Sequence, residues 1–310
     1  MPRSLRVWLR LAMGGLLLAG AAASPQASRF FIHHYTVQEG LAQDQPIDIH
    51  QDPDGYIWIG TLGGLSRYNG SAFTTFSVAD GLPSPTITTI HGDRRGRLWV
   101  GTPAGAAVLA GSRFTPHTFR TLPEAPSVRD IAEAADGTLY FATSRGLVEL
   151  RGDQERLFTQ ADGLADDFLL GLAVAPDGTL YIGGQAGLSR LRGGRLAPLP
   201  QVNGPGRNGV QSLFHHAATG DLLLCRPDRL TWLSADGRHT EIRPGADPET
   251  FYLDAAIDRQ GTVWVATSAG VYYRFPGAPF RRLDVVDGLS NRWVYRVMVD
   301  YEDIVWLCTD

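Results

Sequence analysis

The sequence predicts an all-β protein. Three observations carry this: a pattern of about 41 residues that recurs along the chain, hairpin-turn dipeptides inside each copy, and no stretch after residue 30 with apolar residues at helical spacing over three turns. Composition agrees. The 310 residues include 36 Gly and 19 Pro, and both residue types break helix interiors. With 44% hydrophobic and 19% charged residues the chain is globular, which excludes disordered, collagen-like and disulfide-scaffold classes. All 28 basic residues are Arg, and the 32 acidic residues outnumber them, so no basic footprint for nucleic acid exists and no nucleic-acid partner is expected.

The first 23 residues read as a segment apart. Arg3, Arg6 and Arg10 precede the apolar run Leu11 to Ala23, whose end offers Ala21 and Ala23 in an A-x-A-like cleavage pattern. That order is a secretory signal peptide over 1–23. The run is about 13 residues long, short of the roughly 20 that span a bilayer core. The mature chain is expected to be exported, with residues 30–310 forming one repeat domain.

The repeat is explicit. Asp54-Gly55-Tyr56-Ile57-Trp58-Ile59-Gly60-Thr61 returns as Arg95-Gly96-Arg97-Leu98-Trp99-Val100-Gly101-Thr102, as Asp136-Gly137-Thr138-Leu139-Tyr140-Phe141-Ala142-Thr143, and as Asp177-Gly178-Thr179-Leu180-Tyr181-Ile182-Gly183-Gly184. After a degenerate copy near Gly220 to Cys225 it returns around Trp264 and Trp306. The column reads Trp58, Trp99, Tyr140, Tyr181, Leu224, Trp264, Trp306, with spacings of 41, 41, 41, 43, 40 and 42. Two other columns keep step: a Gly-apolar pair six residues later, as in Gly64-Leu65, and an upstream acid-Gly-Leu, as in Glu39-Gly40-Leu41 and Asp80-Gly81-Leu82.

Each unit reads as four strands. In the first, Pro46 to Gln51 alternates apolar and polar residues, and Asp54-Gly55 supplies the positive φ of a tight hairpin turn. Tyr56 to Thr61 follows, Gly63-Gly64 turns into Leu65 to Tyr68, and Asn69-Gly70 turns into Ala72 to Phe76. A lone meander of this size exposes two apolar faces and must stack on neighbours. The radial solution is a β-propeller of four-stranded blades, about seven of them. The last unit supplies Trp293 to Val299 and Ile304 to Thr309 and is incomplete, while Phe30 to Tyr35 looks like an orphan fourth strand that closes the ring from the other end.

These motifs resemble a known family. Acid-Gly-Leu, an alternating strand, D-x-x-G-x-[LI]-W-[IV]-G-T and G-L-x-x-[YL] are similar to the two-component regulator propeller repeat, best in Glu39 to Tyr68 and Asp80 to Leu109, and the resemblance covers residues 31–310. The family implies a sensor domain on the periplasmic face of the inner membrane. A transmembrane helix and a histidine kinase or diguanylate cyclase output would then lie downstream of Asp310, so the membrane is met only through that absent helix. A small-molecule or oligosaccharide ligand and a homodimer through neighbouring propellers are likewise expectations of the family. No cofactor is implied.

The aromatic column, Trp58, Trp99, Tyr140, Tyr181, Trp264 and Trp306, reads as blade core, because one fixed place in every second strand is a packing position. Ten residues before it stand Asp48, Thr89, Asp130, Gly171, Phe214, Asp254 and Arg296, on the innermost strands where a ring converges on its channel. Of these, Asp48, Thr89, Asp130, Asp254 and Arg296 are the candidate ligand-binding residues, against the plainer reading of a solvated channel wall. The acidic runs Asp52-Pro53-Asp54-Gly55 and Asp300-Tyr301-Glu302-Asp303 lack the closing Glu of a calcium loop and read as hairpin turns. Gly204 to Gly209 fits G-x-G-x-x-G but opens no helix, so it carries no dinucleotide reading. The His residues show no metal-ligand spacing, nucleophile motifs are absent, and Cys225 and Cys308 read as two buried thiols in second strands rather than a disulfide. The chain is therefore expected to be noncatalytic. Rival readings are an exported propeller enzyme of the streptogramin-lyase type, which needs clustered His and acids, and a protein-interaction scaffold.

Overall fold

The computed structural model describes residues 5–9, 30–202, 209–216, 218–245 and 247–310. The signal-peptide reading of 1–23 and the glycine-rich motif at 204–209 therefore lie largely outside the described residues. Six four-stranded antiparallel meanders succeed one another, each in sequence order from the inside outward. Their innermost strands are Pro46–Gln51, Thr89–Gly92, Val128–Glu133, Leu169–Val174, Ser212–His216 and Tyr252–Ile257. A seventh blade contributes Val294–Val299 and Val305–Thr309, and its inner strand packs against those of both the sixth and the first blade, so the ring is closed. Along the outer edge of Val305–Thr309 lies Leu5–Leu9, antiparallel, with Leu5 opposite Thr309 and Leu9 opposite Val305.

Second strands such as Ile57–Thr61, Leu98–Thr102 and Val263–Thr267 are buried along their whole length, because both faces of a blade meet other blades. The core is accordingly a series of inter-blade clusters. One joins Trp58 and Leu65 of blade 1 to Ile90, Val100 and Phe114 of blade 2. Gly60 shows how closely blades approach: a Cβ there would come within 2.6 Å of Ile87 from the next blade. The acid-Gly-Leu motif has a physical cause as well. Residues such as Val78–Asp80 form a single 3-10 turn with a capping box, Asp80 reaching back to the Ser77 N–H, and Gly81 ends it at a φ of 98°.

Two expectations need correction. Phe30 to Tyr35 joins none of the sheets as a fourth strand. It instead packs by side chains against blades 6 and 7, with Tyr35 stacked on Trp306 at 6.1 Å and Phe30 edge-on to Trp264 at 5.7 Å. In blade 5 the aromatic-column position belongs to Leu223 rather than Leu224. Arg226 pairs with Arg229 as Thr102 pairs with Gly105, and Phe214 faces Leu223 as His91 faces Trp99. The turn joining the first two strands of blade 5 is one residue longer, which displaced the count. Cys225 and Cys308 are buried and form no disulfide.

Candidate functional site

The innermost strands carry an irregularity that aims the channel residues. In five blades the pairing of first and second strands slips by one residue, between Pro46 and Asp48, Val128 and Asp130, Leu169 and Gly171, Tyr252 and Asp254, and Val294 and Arg296. Such a bulge bends the strand and re-aims the side chain at the slip. With the register corrected, the channel column reads Asp48, Thr89, Asp130, Gly171, Ser212, Asp254, Arg296. Ser212 replaces Phe214, which packs into the apolar clusters.

These residues sew the ring together. Asp48 Oδ2 accepts the backbone N–H of Ile90 in blade 2 at 2.7 Å, Asp130 Oδ2 that of Leu172 in blade 4 at 2.7 Å, and Asp254 Oδ2 that of Val297 in blade 7 at 3.0 Å. Hydroxyls serve the interfaces between: Thr89 Oγ1 donates to Asp130 Oδ1 at 3.4 Å and Ser212 Oγ to Asp254 Oδ1 at 2.6 Å. Arg296 closes the circle, its Nε 2.9 Å from Asp48 Oδ1 and its Nη1 3.3 Å from Asp254 Oδ1. Only blade 4 contributes no side chain, because a Cβ on Gly171 would come within 2.9 Å of Leu213.

The column encloses a cavity of about 350 Å³, lined by Asp48, Thr89, Asp130, Ser212, Asp254 and Arg296 among others. All five predicted site residues are thus brought together. Burial pushes the Asp48 carboxyl up, opposed by Arg296, and lifts Asp130 to about 6. Burial also works against the Arg296 charge, but Asp48, Asp254 and Asp130 outweigh it and hold its pKa above the ordinary value. Three carboxylates face one guanidinium, so the channel is acidic when all are ionised.

Two stretches, residues 40–63 and 81–104, match the Two component regulator propeller family. These stretches fall in the first two blades. Over 51 residues the chain is 39% identical to Histidine kinase P4 of Formosa agariphila, covering 16% of this chain and 4% of that protein. Its fold is similar to the extracellular domain of BT3049, a B. thetaiotaomicron protein assigned to the hybrid two component systems, at a TM-score of 0.77 and 18% identity, over 87% of this chain and 40% of that one. It is also similar in fold to virginiamycin B lyase from Staphylococcus aureus, at a TM-score of 0.67 and 13% identity, over 86% of this chain and 95% of that one. The chain therefore spans less than half the length of the sensor-type relatives it matches.

Within these propeller repeats a second recurring contact escaped the sequence reading. Trp58, Trp99, Trp264 and Trp306 each donate Nε1–H to an Asp six residues earlier: Asp52 at 2.7 Å, Asp93 at 3.0 Å, Asp258 at 3.0 Å and Asp300 at 2.9 Å. Each of these Asp residues also accepts backbone N–H groups of its own hairpin turn, as Asp52 does from Asp54 and Tyr56. The signal was in the sequence: where the aromatic is Tyr140 or Tyr181, the position six earlier is Ala134 or Ala175. Blade 5 moves the indole one strand outward, to Trp232, which pairs across from Leu223 and donates to Asp221 at 2.9 Å.

Asp130 supplies a pH test. Its carboxyl, raised to about 6, holds a proton in the folded state that the unfolded chain releases near 3.8. Its contribution to stability is therefore full below pH 3.8 and is lost as pH rises through about 6. Asn keeps an oxygen for the Leu172 N–H. The difference in unfolding free energy between Asp130→Asn and wild type, from denaturant titrations at pH 4 to 7.5, should favour the variant progressively above pH 4. A flat difference would contradict the assignment. Taking the difference also removes the opposite trend of His91, whose pKa burial and the nearby His50 lower to about 4.

Proposed function

We propose that the chain is the exported, noncatalytic, ligand-sensing part of a transmembrane signalling protein, and that its ligand is read at the central channel. The supporting observation is the ring of Asp48, Thr89, Asp130, Asp254 and Arg296 around one cavity, in a chain two of whose repeats match the regulator-propeller family. Every interface of that ring but the one between blades 4 and 5 is bridged by a channel side chain. A ligand that exchanged contacts with Asp130 or Arg296 would alter how blades sit against one another, a change a downstream helix could receive.

The periplasm is the expected compartment, a kinase or cyclase the expected output, and a small polar molecule or oligosaccharide the expected ligand. The lyase likeness is one of fold, and the His residues are dispersed over several blades. Among the described residues no group of three or more His, Cys, Asp or Glu is placed to hold a metal ion.

Titration of the purified chain with a panel of neutral and acidic oligosaccharides tests the channel. One member should bind, and Asp130→Ala should weaken it at least tenfold with the melting temperature retained. A bound oligosaccharide indifferent to Asp130→Ala would remove the channel from the proposal. Alkaline phosphatase fused after Asp310 should be active in a bacterial host, since that enzyme matures only outside the cytoplasm; an inactive fusion would refute export.

A further inference from the structure

We propose that the groove between blades 3 and 4, on the turn-bearing face and away from the channel, is a second ligand site that takes a small zwitterion of the amino-acid type. The groove encloses about 710 Å³. It opens where the repeat departs from its own pattern, since blade 3 has Tyr140 and Ala134 in place of the Trp and Asp that lock the corresponding corner of blades 1, 2, 6 and 7. The shorter ring and the missing carboxylate leave the corner unfilled.

Its wall is a cross-strand row. Tyr140 faces Glu149 on the next strand, and Glu149 faces Arg156 on the outermost one. Opposite charges in that relation, with Cβ atoms about 4.5–5.5 Å apart, ordinarily pair. Here they do not. The Arg156 guanidinium lies over the Phe158 ring at 4.2 Å, and among the described residues neither Glu149 nor Arg156 is in an ion pair.

The other charges of the groove are already engaged. Arg151 is bound to Asp136 at 2.9 Å and to Thr138 at 3.1 Å, and Glu155 is bound to His117 at 3.0 Å and to the backbone N–H of Arg120 at 2.6 Å. The half-buried Glu149 carboxylate, beside the Tyr140 hydroxyl, and the Arg156 guanidinium, over the Phe158 ring, are thus cross-strand neighbours with the two rings beneath them. The opposite wall, at Gly178, Gly193 and Gly194, has no atom within 4 Å of where a Cβ would be, so the ligand has room to enter.

An α-carboxylate on Arg156 and an α-ammonium on Glu149 would set each ligand charge against its opposite, because the two residues are direct cross-strand partners and the two groups of an amino acid are separated by a single carbon. The ligand's side chain then lies against the aromatic floor. Only a molecule bearing both charges satisfies both residues.

Isothermal titration with L-phenylalanine, N-acetyl-L-phenylalanine and L-phenylalanine amide tests the proposal. The free amino acid should bind, each capped form should bind at least tenfold more weakly, and Glu149→Gln and Arg156→Gln should each lower affinity for the free form at least tenfold. Both side chains reach solvent, and an unchanged melting temperature will show that the variants fold. No binding at millimolar concentration, equal binding of a capped form, or indifference to either substitution would overturn it. Asp130→Ala should leave this titration unchanged, so failure here and failure of the channel reading are separable.

Discussion

Replacing Arg296 with methionine should lower the stability of the propeller by about 3–5 kcal/mol at neutral pH, the usual result of removing one partner from a buried ion pair. The reason is specific. Asp48 and Asp254 are each 7% exposed, and Arg296 is the cation in contact with both. Their other oxygens remain fixed to Ile90 and Val297, so the carboxylates cannot turn away to water. The sign of the pH dependence follows. Burial already holds the Asp48 carboxyl above its ordinary value, and without the opposing guanidinium it rises further, so the loss should be greatest above neutrality and shrink as pH falls and Asp48 takes up a proton. Denaturant titrations at pH 7.5 and pH 5 check this. Adding Asp48→Asn and Asp254→Asn to Arg296→Met should recover most of the loss, because the cost lies in the uncompensated charges. A loss below about 1 kcal/mol for the single variant would mean that water in the channel already screens the cluster.

Trp58→Ala should cost about 3–5 kcal/mol, the range for truncating a large core aromatic. Trp58 is 3% exposed, lies between Leu65, Leu98 and Phe76, and donates to Asp52. The deletion therefore removes packing at the blade 1–2 interface and one of the three hydrogen bonds that the Asp52 carboxylate accepts. Asp52→Ala should cost less, about 1–3 kcal/mol, because it strands the indole N–H and two turn amides while the ring stays in place. The double variant should cost less than the sum of the two singles, since both delete the same hydrogen bond. Additive values, measured by chemical unfolding, would show that the indole packs without depending on the carboxylate.

Architecture was legible because several registers repeat together. Strand limits follow from the turns: Pro46–Gln51 is as expected, and Ile57–Thr61 begins one residue after the expected Tyr56. The candidate column was legible for the same reason, and Asp48, Thr89, Asp130, Asp254 and Arg296 all reach one cavity. Blade 5 was misread because one extra turn residue shifts every later position there, and Leu224 gives no aromatic landmark to correct it. The pairings inside the channel were not legible at all. That Asp48 meets Arg296 depends on closing a ring across about 250 residues, and periodicity says which positions are equivalent without saying which touch. The blade 3–4 groove was missed for the opposite reason. Tyr140 and Tyr181 were read as conservative members of the column, when the loss of the indole N–H and of its carboxylate partner is what changes the corner.

The slip in the innermost strands bears on how such a protein could diversify. Each slip leaves the residue just before the channel residue unpaired, and regular pairing resumes at the channel residue, so the channel side chain can be exchanged without shifting the register beyond it. The slipped blades thus offer replaceable facets around one opening, each tied to at least one neighbour by the channel hydrogen bonds. Arg296 is tied by charge as well. Two neighbouring blades lean on it, so a lineage that changed the chemistry of its channel would be expected to vary Thr89 or Ser212 first and Arg296 last.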